Sequence, residues 1–295
     1  MLFRSSFTDD PTVGRNPPYG ASINYYLKAA PTGNVTIAIL DRANQVVRTL
    51  PGSQRPGLNR VTWDLRSAPT TGVRYRTSPL YAPDIEVGPD GFRESGGGGG
   101  GGGAGRMAIL QPPGTYTVKL TVGGRDYTQP LTVTKDPNSA GTLADIEAQQ
   151  RMLVELQKSI DSASAVVNEI ELVRSQLAAL GRLSGDDEVK RASSEIEKAF
   201  VDLEMNLVEL RSTGRGQDGV RWGSKLVGKI QYLANGVASG DYKPTDQQRD
   251  VQKVLDERLK AHQAALEGLR ARVTSGFNDQ LRKKNLPVIV TQPAK

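Results

Sequence analysis

The chain has 295 residues, 37% of them hydrophobic, which is enough for two ordinary cores and too apolar for a wholly disordered polypeptide. It contains no cysteine and one histidine, which excludes disulfides, thiolate metal sites and cysteine nucleophiles and argues against an ordinary zinc centre. The formal charge of +6 is carried mostly by residues 1–141, with 15 Lys+Arg against 10 Asp+Glu, whereas residues 142–295 hold 23 against 22. The arginines of the first half are scattered through strands and turns rather than clustered on one helix or interleaved with stacking aromatics, so no nucleic-acid partner is expected.

Residues 1–20 read as a lead-in to the first domain. Met1-Leu2-Phe3-Arg4-Ser5 resembles the translation of a sequencing adapter, which makes the chain a fragment of a longer protein in this reading. No stretch reaches the roughly 18 continuous apolar residues of a membrane span, and the first residues lack the apolar core of a signal peptide.

Residues 21–136 alternate apolar and polar positions in short runs at 23–28, 35–40, 45–50, 58–65, 115–122 and 127–134, the pattern of half-buried strands. Asp41-Arg42-Ala43-Asn44 and Gly123-Gly124 supply turn chemistry for hairpins. Six short strands with no intervening helical pattern predict an immunoglobulin-like β-sandwich. In the run ending Val61-Thr62-Trp63-Asp64-Leu65, alternation sends Val61, Trp63 and Leu65 to the core and Leu58, Arg60, Thr62 and Asp64 to the other face. Trp63 is read as a packing anchor, and Pro113-Gly114 as the turn that launches the strand carrying Tyr116.

Residues 67–110 interrupt the pattern with Pro-rich and Gly-rich sequence, including eight consecutive glycines at 96–103. A run without Cβ atoms buries nothing, so this segment is expected to be a flexible surface insertion of the β domain that tolerates shortening. A phosphate-cradling loop would need a strand before it, a helix after it and a nearby Lys-Ser/Thr, which are lacking.

After Asp136-Pro137 the period changes to about 3.6. Helix one is expected over 143–180, with Thr142 and Asp145 as a capping box and Gly181 as its stop. Helix two is expected over 186–211, helix three over 220–238 with Trp222 on its inner face, and helix four from 245 to 284 with Thr245 and Gln248 as its capping box and Val251 in its apolar stripe. Short connections predict an antiparallel four-helix bundle over 142–285, with a coiled-coil dimer as the alternative. Helix four then returns to the starting end of helix one. There Leu286, Val288 and Ile289 of the tail 286–295 dock on the β domain or beside the start of helix one.

Three groups of residues carry a family resemblance. Val35 to Asp41, Val47-Arg48-Thr49-Leu50, Gly57 to Arg66 and Pro112 to Val118 resemble the Ig-like domain of flagellar hook-capping proteins. Asn16-Pro17-Pro18-Tyr19-Gly20-Ala21 followed by Tyr25-Tyr26-Leu27-Lys28 is similar to the sequence opening this domain in large bacterial sortilin-type, BNR-repeat β-propeller proteins described as glycosyl hydrolases. Leu286-Pro287-Val288-Ile289 is similar to the segment that ends their helical tail. The resemblance covers roughly residues 15–290 and departs at the glycine run. It implies a non-catalytic accessory region of a larger protein that is secreted, periplasmic or on the cell surface, with an N-terminal β-propeller as partner in the same polypeptide.

The residues offer little chemistry. His262, between Leu259 and Leu266, is expected at a helix interface with no nucleophile or orienting group beside it. Asp186-Asp187-Glu188 sit where a helix N-terminus favours negative charge. Glycoside hydrolysis would need two carboxylates across a cleft, and the strands offer no such pair. No catalytic, metal or cofactor-binding residue is nominated. The alternative is a carbohydrate-contacting accessory region in which Arg74, Tyr75, Tyr81 or Phe92 reaches a sugar.

Overall fold

The structure is a computed structural model that describes residues 17–93, 105–213 and 218–292. The chain is α+β, with antiparallel sheets first and helices after, and it divides into two compact units.

The β unit comprises residues up to 68 together with 113–134. Strands β1 (Ala21–Leu27) and β4 (Gly57–Trp63) pair antiparallel as one sheet. The second sheet has the order β3-β2-β5-β6, from β2 (Val35–Leu40), β3 (Val46–Gly52), β5 (Gly114–Val122) and β6 (Arg125–Val133), and all of its pairings are antiparallel. The Asp41 carboxylate accepts the amides of Ala43 and Gln45, at 2.8 Å each, and sets the β2–β3 turn in which Asn44 takes a positive φ. One core joins both sheets: Tyr25, Leu27 and Trp63 from the first, and Val35, Ile37, Ile39, Tyr116 and Val118 from the second. Trp63 is fully buried, donates Nε1–H to the Arg66 carbonyl at 2.9 Å and meets the Tyr116 ring edge-on at 5.3 Å. On the opposite parity Leu58 is exposed, as the alternation requires.

The helical unit contains residues 135 onward and also residues 69–112. This corrects the expectation that residues 67–110 form a flexible insertion of the β domain. Val73, Tyr75, Met107 and Ile109 are buried in the helical core, and hydrogen bonds described below tie the segment to the first helix. The glycines 96–103, and the tolerance to shortening expected there, lie outside the described residues.

Helix α1 (Leu143–Leu183) opens with the Thr142–Asp145 capping box and runs 41 residues, about 60 Å at 1.5 Å per residue. Gly181 does not stop it; the helix carries on through the glycine and ends at Ser184. Helix α2 (Asp187–Leu207) is capped by Asp186 and stops short of 211, although Val208 and Leu210 are still buried. The single helix expected over 220–238 is two pieces, α3 (Asp218–Arg221) and α4 (Leu226–Val237). Trp222 lies between them, half-buried, with the Arg211 guanidinium 3.8 Å above its ring. Helix α5 (Asp246–Arg272) starts from the Thr245–Gln248 capping box. A π-helical turn (Val273–Phe277) separates it from α6 (Asn278–Lys283). Val273, Phe277 and Leu281 are all buried at a spacing of four, wider than the α-helical repeat, and the wider turn keeps them on one face.

The helix directions correct the up-down-up-down bundle. Arg174 meets Glu204 and Gln149 donates to the Val237 carbonyl at 2.7 Å, so α2 and then α4 run antiparallel to α1, one after the other along its length. Gln252 donates to Glu155 at 2.9 Å, Ser159 to Asp256 at 2.7 Å and Arg270 to Glu169 at 2.8 Å, so α5 runs parallel to α1. The course is up, down in two pieces, and up. α2 alone is about half as long as α1, and α4 completes the return. Consequently the tail ends beside the end of α1, not its start: Ile289 is buried in the helical core and Val290 is hydrogen-bonded to Gln176.

Candidate functional site

Two features of the helical unit stand apart from ordinary packing. The first is a polar seam between α1 and the strap formed by residues 69–93 and 105–112, partly open to solvent at Asp161 and Asn168 and buried at Glu171. An extended strap has backbone N–H groups that no sheet satisfies, and burying them without acceptors costs free energy. Helix α1 supplies acceptors from Asp161, Asn168 and Glu171, at intervals of seven and three residues that place them on one face. The Thr71 amide donates to Asp161 at 2.9 Å and that of Arg74 to Asn168 at 2.7 Å, while the Asn168 amide group returns a bond to the Gly72 carbonyl at 3.0 Å. Glu171 takes the amides of Arg76 and Thr77, the latter at 2.8 Å, and the Thr77 hydroxyl at 2.9 Å. Where the strap returns at Gly105, a Cβ would come within 2.5 Å of Ser164 Oγ and φ is +77°, so only glycine fits.

The seam ends in a buried ionic cluster. Arg174 Nη1 lies 3.0 Å from Glu171 and 2.8 Å from Glu204, and both carboxylates are fully buried. Burial, and then the Glu171 charge, push the Glu204 carboxyl well above the ordinary carboxylate range, against the pull of Arg174. Two carboxylates 30-odd residues apart in sequence thus converge on one guanidinium. They are occupied in holding α1, α2 and the strap together, and no cleft with room for a sugar separates them. The seam was not anticipated from the sequence. Its signal was the string of polar residues Asp161, Ser164, Asn168, Glu171 and Arg174 within a helix otherwise apolar on several sides.

Of the four loop residues expected near a sugar, Arg74 and Phe92 come into contact with each other. Tyr75 is buried in the helical core, and burial raises its hydroxyl pKa. Arg74 and Arg76 stack over the Phe92 ring at 3.3 and 4.3 Å, and Tyr81 is exposed. His262 is half-buried on α5, its pKa lowered first by desolvation and then by Arg258. Asp186 caps α2 and receives Lys284 at 2.6 Å, and that bond is the largest contribution to its lowered pKa. Among the described residues no group of His, Asp and Glu is arranged to hold a metal ion, and no helix is long and apolar enough to cross a membrane.

The second feature is an open groove of about 760 Å³ between α4 and α5. Tyr232, Leu233 and Gly236 form one wall, and Val251, Val254 and Leu255 the other, with Lys229, Asp250 and Arg258 at the rim. Val251, expected in the inner stripe, is 46% exposed here, Val254 is 45% exposed and Tyr232 is 82% exposed. Tyr232, Val251 and Val254 thus leave apolar surface open to solvent along this groove.

Comparison of the chain with protein-family models, with curated proteins and with solved structures gives no match.

Proposed function

We propose that this chain is a non-catalytic interaction module: an Ig-like sandwich followed by a helical unit, forming the C-terminal part of a larger secreted β-propeller protein of the sortilin-like, BNR-repeat kind. The resemblance of residues 15–290 supplies the larger protein, its compartment and the propeller as partner. The observation that carries the non-catalytic reading is the state of the buried carboxylates. Glu171 and Glu204 are sealed into the seam, Glu171 accepting from Arg76, Thr77 and Arg174 and Glu204 from Arg174, where neither can reach a substrate. A general acid and base of a glycosidase need instead to flank a cleft. The exposed groove of α4 and α5 supports partner contact as the role of the helical unit.

The test is turnover of aryl-glycosides by the purified chain. The expected result is no release of the aryl group above the buffer rate. Turnover that survives repurification and is abolished by substituting one carboxylate would overturn the reading.

A further inference from the structure

Strand β1 pairs with β4 alone, so its other edge has no strand beside it among the described residues. Proteins normally guard such an edge with proline, charge or a bulge, because its free N–H and C=O groups template pairing with another chain. Both edges of the four-stranded sheet are guarded in this way. Strand β3 carries Pro51 and a bulge where its register against β2 shifts, and β6 carries Pro130. Over Ala21–Leu27, by contrast, β1 has no proline, no charged residue and an unbroken register.

The second observation is a part of the core left uncovered next to that edge. Directly opposed residues of an antiparallel pair share a face. Tyr116 of β5 is buried in the core, so Leu131 opposite it, and further along the same face Tyr127 opposite Leu120, point the same way. Yet Tyr127 is 56% exposed, and Leu120, Leu131 and Val133 are only partly buried. The first sheet has two strands against four, and its β4 side lies toward β3: just beyond β4, the Ala68 amide donates to the Val47 carbonyl at 2.8 Å and Arg48 to the Ser67 carbonyl at 3.0 Å. The open side of β1 therefore looks toward β5 and β6, and one more strand beside β1 would stand over Leu120, Tyr127 and Leu131. Arg125, opposite Val122 at the end of this face, has no ionic partner among the described residues, while its neighbour Asp126 is taken by Lys119 and Thr121. Residues 17–68 and 113–134 together hold 8 Lys+Arg against 3 Asp+Glu, so the surroundings of the edge favour an acidic partner.

We infer that the free edge of β1 is a docking site for an extended segment of a partner protein, with apolar side chains at alternate positions and acidic residues at its ends. The partner's backbone pairs with β1, its apolar side chains cover Leu120, Tyr127 and Leu131, and an acidic end meets Arg125. The inference concerns the β unit and does not depend on the role proposed for the α4–α5 groove.

The test is a titration of the ¹⁵N-labelled chain with a synthetic peptide of about nine residues, alternating valine and threonine with an aspartate at each end, and with its counterpart ending in lysines. Amide shifts and hydrogen exchange over Ala21–Leu27 are the readout. Saturable shifts are expected with the aspartate-ended peptide, together with slowed exchange at alternate amides of β1, because only a paired strand supplies their acceptors. Affinity should fall about tenfold or more in Tyr127→Asp, an exposed position whose substitution leaves the fold intact, and about threefold or more with the lysine-ended peptide or in Arg125→Gln. No saturation by about 2 mM peptide, binding that leaves β1 exchange unchanged, or equal affinity in Tyr127→Asp overturns the inference. Slow exchange at these amides in the free chain that is lost on deleting residues 1–16 would also overturn it, by giving the edge to the chain's own N-terminal residues. Slow exchange that grows with chain concentration would overturn it in favour of a second copy.

Discussion

The side-chain amide of Asn278 engages both backbone polar groups of Ile289: Nδ2 donates to the carbonyl at 2.9 Å and Oδ1 accepts the amide at 2.8 Å. One residue on, Gln176 of α1 does the same for Val290, at 2.8 and 2.9 Å. An extended tail has no sheet to satisfy its backbone, and two side-chain amides stand in for a neighbouring strand while Ile289 fills the helical core. Replacing Asn278 with Ala strips two buried backbone groups of their partners. Each orphaned group costs about 1–3 kcal/mol, so Asn278→Ala is expected to lower the unfolding free energy of the helical unit by about 2–6 kcal/mol in urea denaturation. A change within about 0.5 kcal/mol, the range of ordinary surface substitutions, would show that the tail does not hold the unit together.

Glu171 is the junction of the strap, α1 and the ionic cluster. Glu171→Ala removes the acceptor of two amides and one hydroxyl and leaves Arg174 with Glu204 as its remaining carboxylate. Breaking a buried charge network on one side costs about 3–5 kcal/mol. Loss of amide-exchange protection at Arg76 and Thr77 should accompany it. Native-like protection at those two amides in the variant would contradict this role.

Glu204 sets a pH dependence of known sign. Its carboxyl ordinarily titrates near 4.5, and in the folded chain burial, then Glu171, push it well above that value. Below about 4.5 it is protonated in both the folded and unfolded states and has no effect on the difference between them. As pH rises through that value the unfolded chain releases the proton first, so stability falls until the folded pKa is passed. Glu204→Gln, neutral at every pH, is therefore expected to match the native chain in acid and to gain on it steadily as pH rises toward neutral, measured by urea denaturation at several pH values. Parallel stability curves for the two chains would contradict the assignment.

The strands and helix starts were legible because they rest on local chemistry. The alternation from Gly57 to Trp63 places Trp63 inward, and the Thr142–Asp145 and Thr245–Gln248 boxes mark their helix starts to the residue. Helix ends were less legible. Gly181 has the intrinsic preference of a stop, but α1 continues through it to Ser184, whose amide donates to the Leu180 carbonyl. The break after Leu207 and the π-turn at Val273 answer to partners that a helical period does not reveal. The largest miss was the strap. Residues 69–93 and 105–112 carry Pro and Gly and no period, which looks like a free loop, whereas their backbone is satisfied by Asp161, Asn168 and Glu171 some ninety residues away. Non-local side-chain acceptors leave no mark in a local pattern. The polar residues inside the α1 stripe were the one available sign of them. The dispersal of Tyr75, Phe92 and Tyr81 follows from the same cause, since the strap's path decides which aromatic is buried.

The proposed contact of the helical unit with a propeller would use the α4–α5 groove, and Val254 tests it because it is half exposed and lies away from the seam. Val254→Asp should leave stability within about 0.5 kcal/mol, as an exposed substitution does. The decisive measurement is calorimetric titration of this chain, native and Val254→Asp, with a β-propeller of the proposed sortilin-like kind supplied as a separate polypeptide. Saturable binding by the native chain is expected, weakened at least tenfold by Val254→Asp. Equal binding by the two chains, or no binding by the native chain, would contradict it.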